Sequence, residues 1–89
     1  MLKITPVASL NHHATLRLEG RLLGPWVLEL RRACETLIHA GRAVRLDLGE
    51  VSFADRNGIA LLLNLKARGV SLTDCSAFLE AELKSATAD

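Results

Sequence analysis

The sequence predicts an α/β domain in which about four mainly parallel strands carry about three helices on one face of the sheet. Two observations lead there. Runs with a period of two residues alternate along the chain with stretches at helical spacing. Each strand run also keeps a polar face: Ala14, Leu16 and Leu18 alternate with Thr15, Arg17 and Glu19, and Val44, Leu46 and Leu48 with Arg45 and Asp47. A doubly wound sheet is covered on both sides, and its central strands read as unbroken apolar runs. Here such a cover would strand Arg17, Glu19, Arg45 and Asp47 beneath helices, at several kcal/mol each. One face is therefore left to water.

The elements follow in order. A first strand spans Leu2 to Ala8, and Pro6 assigns it to an edge because proline cannot donate to a ladder. Asn11-His12-His13 forms the turn into the second strand, which Gly20 ends. Gly24-Pro25 opens the first helix, since a first-turn residue has no helical partner for its N–H. Val27, Leu30, Cys34, Leu37 and Ile38 make its apolar stripe, Gly41 stops it, and Arg31 and Glu35 can pair one turn apart. After the third strand, a second helix runs from about Gly58 to Arg68, with Gly69 ending it. Val70 and Leu72 alternate with Ser71 and Thr73 in a fourth strand. Ser76 starts a third helix from about Ala77 to Lys84, and the tail from Ser85 to Asp89 frays.

The 89 residues fit one domain, residues 1–89, with 49% hydrophobic residues for a core. Only 3% are aromatic, so that core is aliphatic. A net charge of +1 provides no field for nucleic acid or an anionic membrane. No apolar run approaches the roughly 20 residues of a membrane span, and the first residues lack the design of a signal peptide. Cys34 and Cys75 lie far apart in unlike contexts; free thiols in a reducing compartment are expected, with a disulfide as the alternative. A cytoplasmic protein is the expectation.

Residues 46–63 are the most informative. The order is strand, loop and helix start: Leu46-Asp47-Leu48-Gly49-Glu50-Val51-Ser52-Phe53-Ala54-Asp55-Arg56-Asn57-Gly58-Ile59-Ala60-Leu61-Leu62-Leu63. Asp55 is placed to cap the helix by accepting from its first free amides. Ile59, Leu62 and Leu63 share one side, while Leu61 and Leu65 lie on another. A helix on a one-sided sheet has one face to bury. Leu61 and Leu65 therefore either form an exposed apolar patch or lie under the first or third helix.

This segment resembles the signature of STAS domains, the anti-sigma-factor-antagonist type. There a strand ending Asp-Leu leads through Val-x-Phe-x-Asp-Ser-x-Gly-Leu into a helix. Here it reads Asp47-Leu48, then Val51-Ser52-Phe53-Ala54-Asp55-Arg56-Asn57-Gly58-Ile59. Leu18-Glu19-Gly20-Arg21-Leu22 is similar to the family's Leu-x-Gly-x-Leu, and Gly69-Val70-Ser71-Leu72 to its Gly-x-x-Leu. The resemblance covers about residues 2 to 84, in the right order. It implies a β–α superhelix with its helices on one side, and a non-catalytic domain that docks on a protein partner. In the family the residue after the loop aspartate is a Ser or Thr phosphorylated by a kinase that is also an anti-sigma factor. The phosphate at the helix start releases the partner.

Two departures matter. Arg56 occupies the phosphoacceptor position and has no hydroxyl, so the phosphoserine switch is absent there; Ser52 lies on the wrong side of the loop to replace it. A cation in a helix's first turn also opposes the macrodipole. Arg56 either points to solvent or pairs with Asp55 or Glu50, or else it meets an acidic partner surface. The family also adds another strand and helix after the third helix. Four strands would leave an open edge, inviting partner or self-association, so a homodimer stays open.

The remaining constellations are weak. His12 and His13 are adjacent, point different ways and lack a third ligand, so no metal site is expected. Asp47 and Asp55 lack a nucleophile, a phosphate loop or a base around them, and Asp47 is better paired with Arg45 or Arg17. Trp26 packs half-buried over a helix end, or else contacts a partner. The basic residues Arg31, Arg32, Arg42, Arg45, Lys66 and Arg68 are dispersed among acids and read as solvated faces. The reading is a cofactor-free interaction module of bacterial regulation, binding through Asp55, Arg56, Asn57, Gly58, Leu61 and Leu65. Its partner would be an anti-sigma factor and serine kinase; the alternative is an ABC ATPase, with the chain as STAS subunit of a lipid-handling transporter. A small enzyme is the remote third reading.

Overall fold

The computed structural model describes residues 1–7 and 13–87, with nothing stated of the Thr87 side chain. The elements run β1 (Leu2–Val7), β2 (His13–Leu22), α1 (Pro25–His39), β3 (Ala43–Ala54), α2 (Arg56–Ala67), β4 (Ser71–Thr73) and α3 (Ala77–Thr87). The turn expected at Asn11 and His12 falls outside the described residues.

The four strands form one sheet in the order β1-β2-β3-β4. β1 is antiparallel to β2, while β2–β3 and β3–β4 are parallel, each pair joined through a helix. Pro6 sits on an edge strand, as its missing N–H requires. The alternation read from the sequence holds: Ala14, Leu16, Leu18, Val44, Leu46 and Leu48 are buried, and Arg17 and Arg45 are exposed. Leu30 and Cys34 of α1, Ile59, Leu62 and Leu65 of α2, and Leu79 and Leu83 of α3 join the strand residues in one core. All three helices therefore lie on the apolar face. On the open face Arg17 and Asp47 form an exposed ion pair at 3.4 Å.

β3 is longer than the sequence predicts. Where a loop is expected after Leu48, the strand continues to Ala54 and keeps pairing with β2 as far as Leu22 opposite Ala54. Two register shifts make this compatible with packing. Glu19 faces Glu50 after Arg17 faces Asp47, and Arg21 faces Phe53 after Gly20 faces Val51, so β3 carries one extra residue at each step. These are bulges, and each re-aims the strand. Leu48, Val51 and Ala54 stay buried at intervals of three, which conceals the strand from a period-two search. Asp47 Oδ1 accepts from the Gly49 N–H at 3.0 Å and fixes the first bulge. On β2, Gly20 has φ +110°, and an added Cβ would collide with the Met1 carbonyl oxygen, so the Leu-x-Gly-x-Leu glycine answers a backbone need.

α3 also extends past Lys84 to Thr87, so residues 85–87 are helical where a frayed tail is expected. Ser76 starts this helix as anticipated: its hydroxyl accepts from the Leu79 N–H at 3.1 Å. Glu35 does not take Arg31, its neighbour one turn away. It pairs instead with Arg68, at the C-cap of α2, at 2.7 Å. The contact clamps α1 to α2, and no local spacing rule could find it.

Candidate functional site

The site is built around the start of α2. Asp55 is extended, φ −79° and ψ −179°, and is the N-cap. Its Oδ1 accepts from the Gly58 N–H at 2.7 Å, satisfying one of the amides a helix start leaves free. Its Oδ2 accepts from the Gly24 N–H, at the N-cap of α1, at 3.1 Å. The Asp55 N–H donates to the Leu22 carbonyl at 3.0 Å, and its own carbonyl accepts from Ile59. One residue thus ties together two helix starts and the end of β2. The cap is legible in the sequence; the tie to Gly24 spans 31 residues and is not.

Gly58 is buried, and its role is internal. A Cβ there would lie 2.7 Å from the Leu22 carbonyl oxygen and 3.0 Å from Leu22 Cγ, so glycine lets α2 sit against the end of β2.

The expected apolar patch is corrected. Leu61 is 7% exposed and Leu65 is fully buried. At 100° per residue, Leu61, Leu65, Gly58, Leu62 and Ile59 fill a continuous arc of about 160°. Such an arc is too wide for a helix that meets only a sheet. α2 is the middle helix: α1 flanks it where Leu61 faces Val27, Leu28 and Arg31 across a shallow groove, and α3 lies on the other flank. The helical neighbours cover what the sheet does not.

What α2 presents to solvent is polar or small: Arg56, Asn57, Ala60 and Asn64, with Lys66 and Ala67 in its last turn. Leu28 of α1, 48% exposed, borders the same surface. Phe53, 41% exposed, stands at the end of β3 two residues before Asp55. Neither apolar residue is marked by the periodicity, because each falls on the outer side of its own element. Arg56 makes no ion pair with Asp55 or Glu50 among the described residues, so its charge faces water. Ser52, the nearest hydroxyl along the sequence, donates to the Gly20 carbonyl at 3.2 Å across to β2.

Among the described residues no cluster of three or more His, Cys, Asp or Glu side chains could hold a metal. His13 is exposed at the start of β2, and His12 lies outside the described residues. Both cysteines are free. Burial, with a smaller push from the Glu35 charge, raises the Cys34 thiol to about 11, so it stays protonated and unreactive. No helix among the described residues is long and apolar enough to cross a membrane. Trp26 is half-buried against the core.

The Glu35–Arg68 clamp has a pH signature. Its hydrogen bond to Arg68 holds the Glu35 carboxyl below its ordinary value. A depressed folded-state pKa contributes stability above the unfolded-state value, lost as pH falls through the folded one. Thermal melts of the wild type and Glu35→Gln should therefore differ slightly at neutral pH and converge in acid. A gap that persists after Glu35 is protonated would mean the clamp acts through packing, not charge.

A sheet with helices on one face, Leu-x-Gly-x-Leu at the end of β2 and a capped helix after Val-x-Phe-x-Asp define a class. The family described as "Mlab, STAS domain" matches residues 6–88, and the chain belongs to the STAS domain family. Among solved structures, the anti-sigma factor antagonist SpoIIAA in its unphosphorylated form is 20% identical, with a TM-score of 0.73 over 92% of this chain and 82% of that one. The Bacillus cell fate determinant SpoIIAA in the phosphorylated form is 18% identical, with a TM-score of 0.72 over 96% and 84%. A protein of the DUF3478 family with a SpoIIAA-like fold, from Shewanella loihica, is 15% identical, with a TM-score of 0.58 over 96% and 75%. No curated protein matches the chain.

Proposed function

We propose that the chain is a non-catalytic docking module whose partner protein engages the start of α2 without a phosphoserine switch. The observation that carries this is the combination at residues 55–57. Asp55 fixes the helix start through two hydrogen bonds, and Arg56 and Asn57 are exposed beside it, at the position where the family carries its phosphoacceptor. Ala60, Asn64 and Leu28 extend the surface. A cation there suits an acidic partner surface, since complementary charge governs encounter and register.

The absent hydroxyl bears on the kind of partner. An anti-sigma factor that is also a kinase could still bind, but it could not release itself by phosphorylating residue 56. A STAS subunit held permanently on the ATPase of a lipid-handling ABC transporter needs no such release, and Arg56 favours that second reading. Either partner places the domain in the cytoplasm, where free Cys34 and Cys75 are at home.

Arg56→Glu tests the reading. The substitution leaves the melting temperature within about 2 °C, because an exposed first-turn side chain contributes little. Capture from the native cell should recover the partner with the wild type and roughly tenfold less with Arg56→Glu, as expected for reversing a rim charge. Equal recovery from both would remove the helix start from the interface. Identification of the captured protein as a serine kinase or an ATPase subunit separates the two partners.

A further inference from the structure

Helices α1 and α2 form the two walls of a trough tied at both ends. They follow the parallel strands β2 and β3, so they return along the sheet in the same direction. At their starts Asp55 accepts from the Gly24 N–H at 3.1 Å, and at their ends Glu35 holds Arg68 at 2.7 Å. Between those ties lies the shallow groove, about 420 Å³, lined from Gly24 to Arg31 on one helix and from Asn57 to Asn64 on the other. Each lining spans two turns, roughly 10 Å. Both walls are interior elements of the chain, each preceded and followed by a strand. Leu61 lies at the base, Leu28 stands half-exposed on one wall, and the small Ala60 keeps the other low. The charge of this surface is one-sided. Arg31, the charged residue of the lining, is exposed and makes no ion pair among the described residues. Arg32 and Arg56 are exposed on the same two helices. The nearby carboxylates are engaged, Glu35 with Arg68 and Asp55 with the Gly24 and Gly58 amides. Glu29 lies about 160° round α1 from Arg31. Asn57 and Asn64, two turns apart on the α2 wall, add side-chain amides with no hydrogen-bond partner among the described residues.

We propose that the occupant of this trough is an acidic amphipathic helix of the partner protein; the proposal rests on the reading that a partner engages the start of α2. The walls decide helix over strand. Both are helices whose backbone groups are bonded within themselves, so an extended segment laid between them finds no ladder to join and keeps its own N–H and C=O groups unmet. A helix brings its backbone already satisfied and lays one face into the groove. Charge decides the composition. A carboxylate on the flank facing α1 meets Arg31, and one at the end of the segment near the α2 start meets Arg56. An apolar side chain between them covers Ala60 and Leu61 and packs on Leu28, while Asn57 and Asn64 donate to polar groups along the other flank. A basic or neutral segment leaves Arg31 and Arg56 facing no opposite charge.

Site-specific crosslinking tests this. The chain carrying photoreactive p-benzoylphenylalanine in place of Asn64 is irradiated in the native cell, and the crosslinked segment is read by mass spectrometry. That segment should be helix-forming, with Asp or Glu at spacings of three or four residues. A synthetic peptide of it should bind the wild type by fluorescence anisotropy and bind Arg31→Glu roughly tenfold more weakly, with most of the loss recovered when lysine replaces the peptide's glutamates. Ala60→Trp, which fills the trough and leaves the charges alone, should weaken binding as well. Melting temperatures serve as the folding control, and should Ala60→Trp fail to fold, Asn64→Glu on the exposed wall replaces it. A basic or extended segment at the crosslink, no crosslink, or a peptide indifferent to Arg31 and Ala60 overturns the proposal. Partner recovery lost with Arg56→Glu but kept with Arg31→Glu and Ala60→Trp leaves docking at the α2 start intact and removes the trough. Full recovery with all three removes both.

Discussion

Truncation of Leu65 to alanine is expected to lower the unfolding free energy by about 3 kcal/mol, measured by urea denaturation. The side chain has no exposed surface and belongs to the same core as Leu62, Leu79 and Leu83. Its loss removes apolar burial and leaves a cavity in a close-packed interior, effects that together cost roughly 2–5 kcal/mol. Leu28→Ala, with the same atoms removed from a half-exposed position, should change stability by less than about 1 kcal/mol. The pair separates core from surface. A loss at Leu65 as small as that at Leu28 would return Leu65 to the exposed patch that the helical pattern allows.

Asp55→Ala is the second large effect, about 2 kcal/mol. Removal of a helix N-cap costs roughly 0.5–2 kcal/mol, and the Gly24 N–H loses a charged acceptor in addition. The readout that identifies the tie is hydrogen exchange. In Asp55→Ala the amides of Gly58 and Gly24 should lose protection together, although they open different helices. Asp55→Asn, with one acceptor oxygen instead of two, should retain protection at one of them. Loss confined to Gly58 would reduce Asp55 to an ordinary cap.

The sheet was legible because its amphipathic strands expose their period directly. Arg17 and Arg45 on the outer face imply helices on one side, and the core residues of α1, α2 and α3 lie there. The cap at Asp55 was legible because it is local, with donor and acceptor three residues apart. Leu61 and Leu65 were not. The sequence shows that they sit away from Leu63 on the helix, but not that α2 is flanked by two other helices, which is a property of the assembled layer. β3 beyond Leu48 was hidden for a different reason: bulges break the period on which strand detection depends. Glu35 with Arg68, and Gly24 with Asp55, are long-range choices among several chemically equivalent partners. Only folding decides between them.

The bulged stretch of β3 sets a ruler beside β2. From Arg17 to Leu22 one strand advances while its neighbour uses two more residues, one between Asp47 and Glu50 and one between Val51 and Phe53, to cover the same distance. The Gly49–Ala54 segment, though it reads as slack, therefore has a fixed length. Deleting one residue would swap the faces of everything downstream, turning Val51 or Ala54 toward water, and would draw Asp55 back by about 3.3 Å. That is farther than its bond to Gly24 can stretch. Any tolerance of this domain for insertions must reside on other connections, since here the count of residues sets the spacing between the two helix starts.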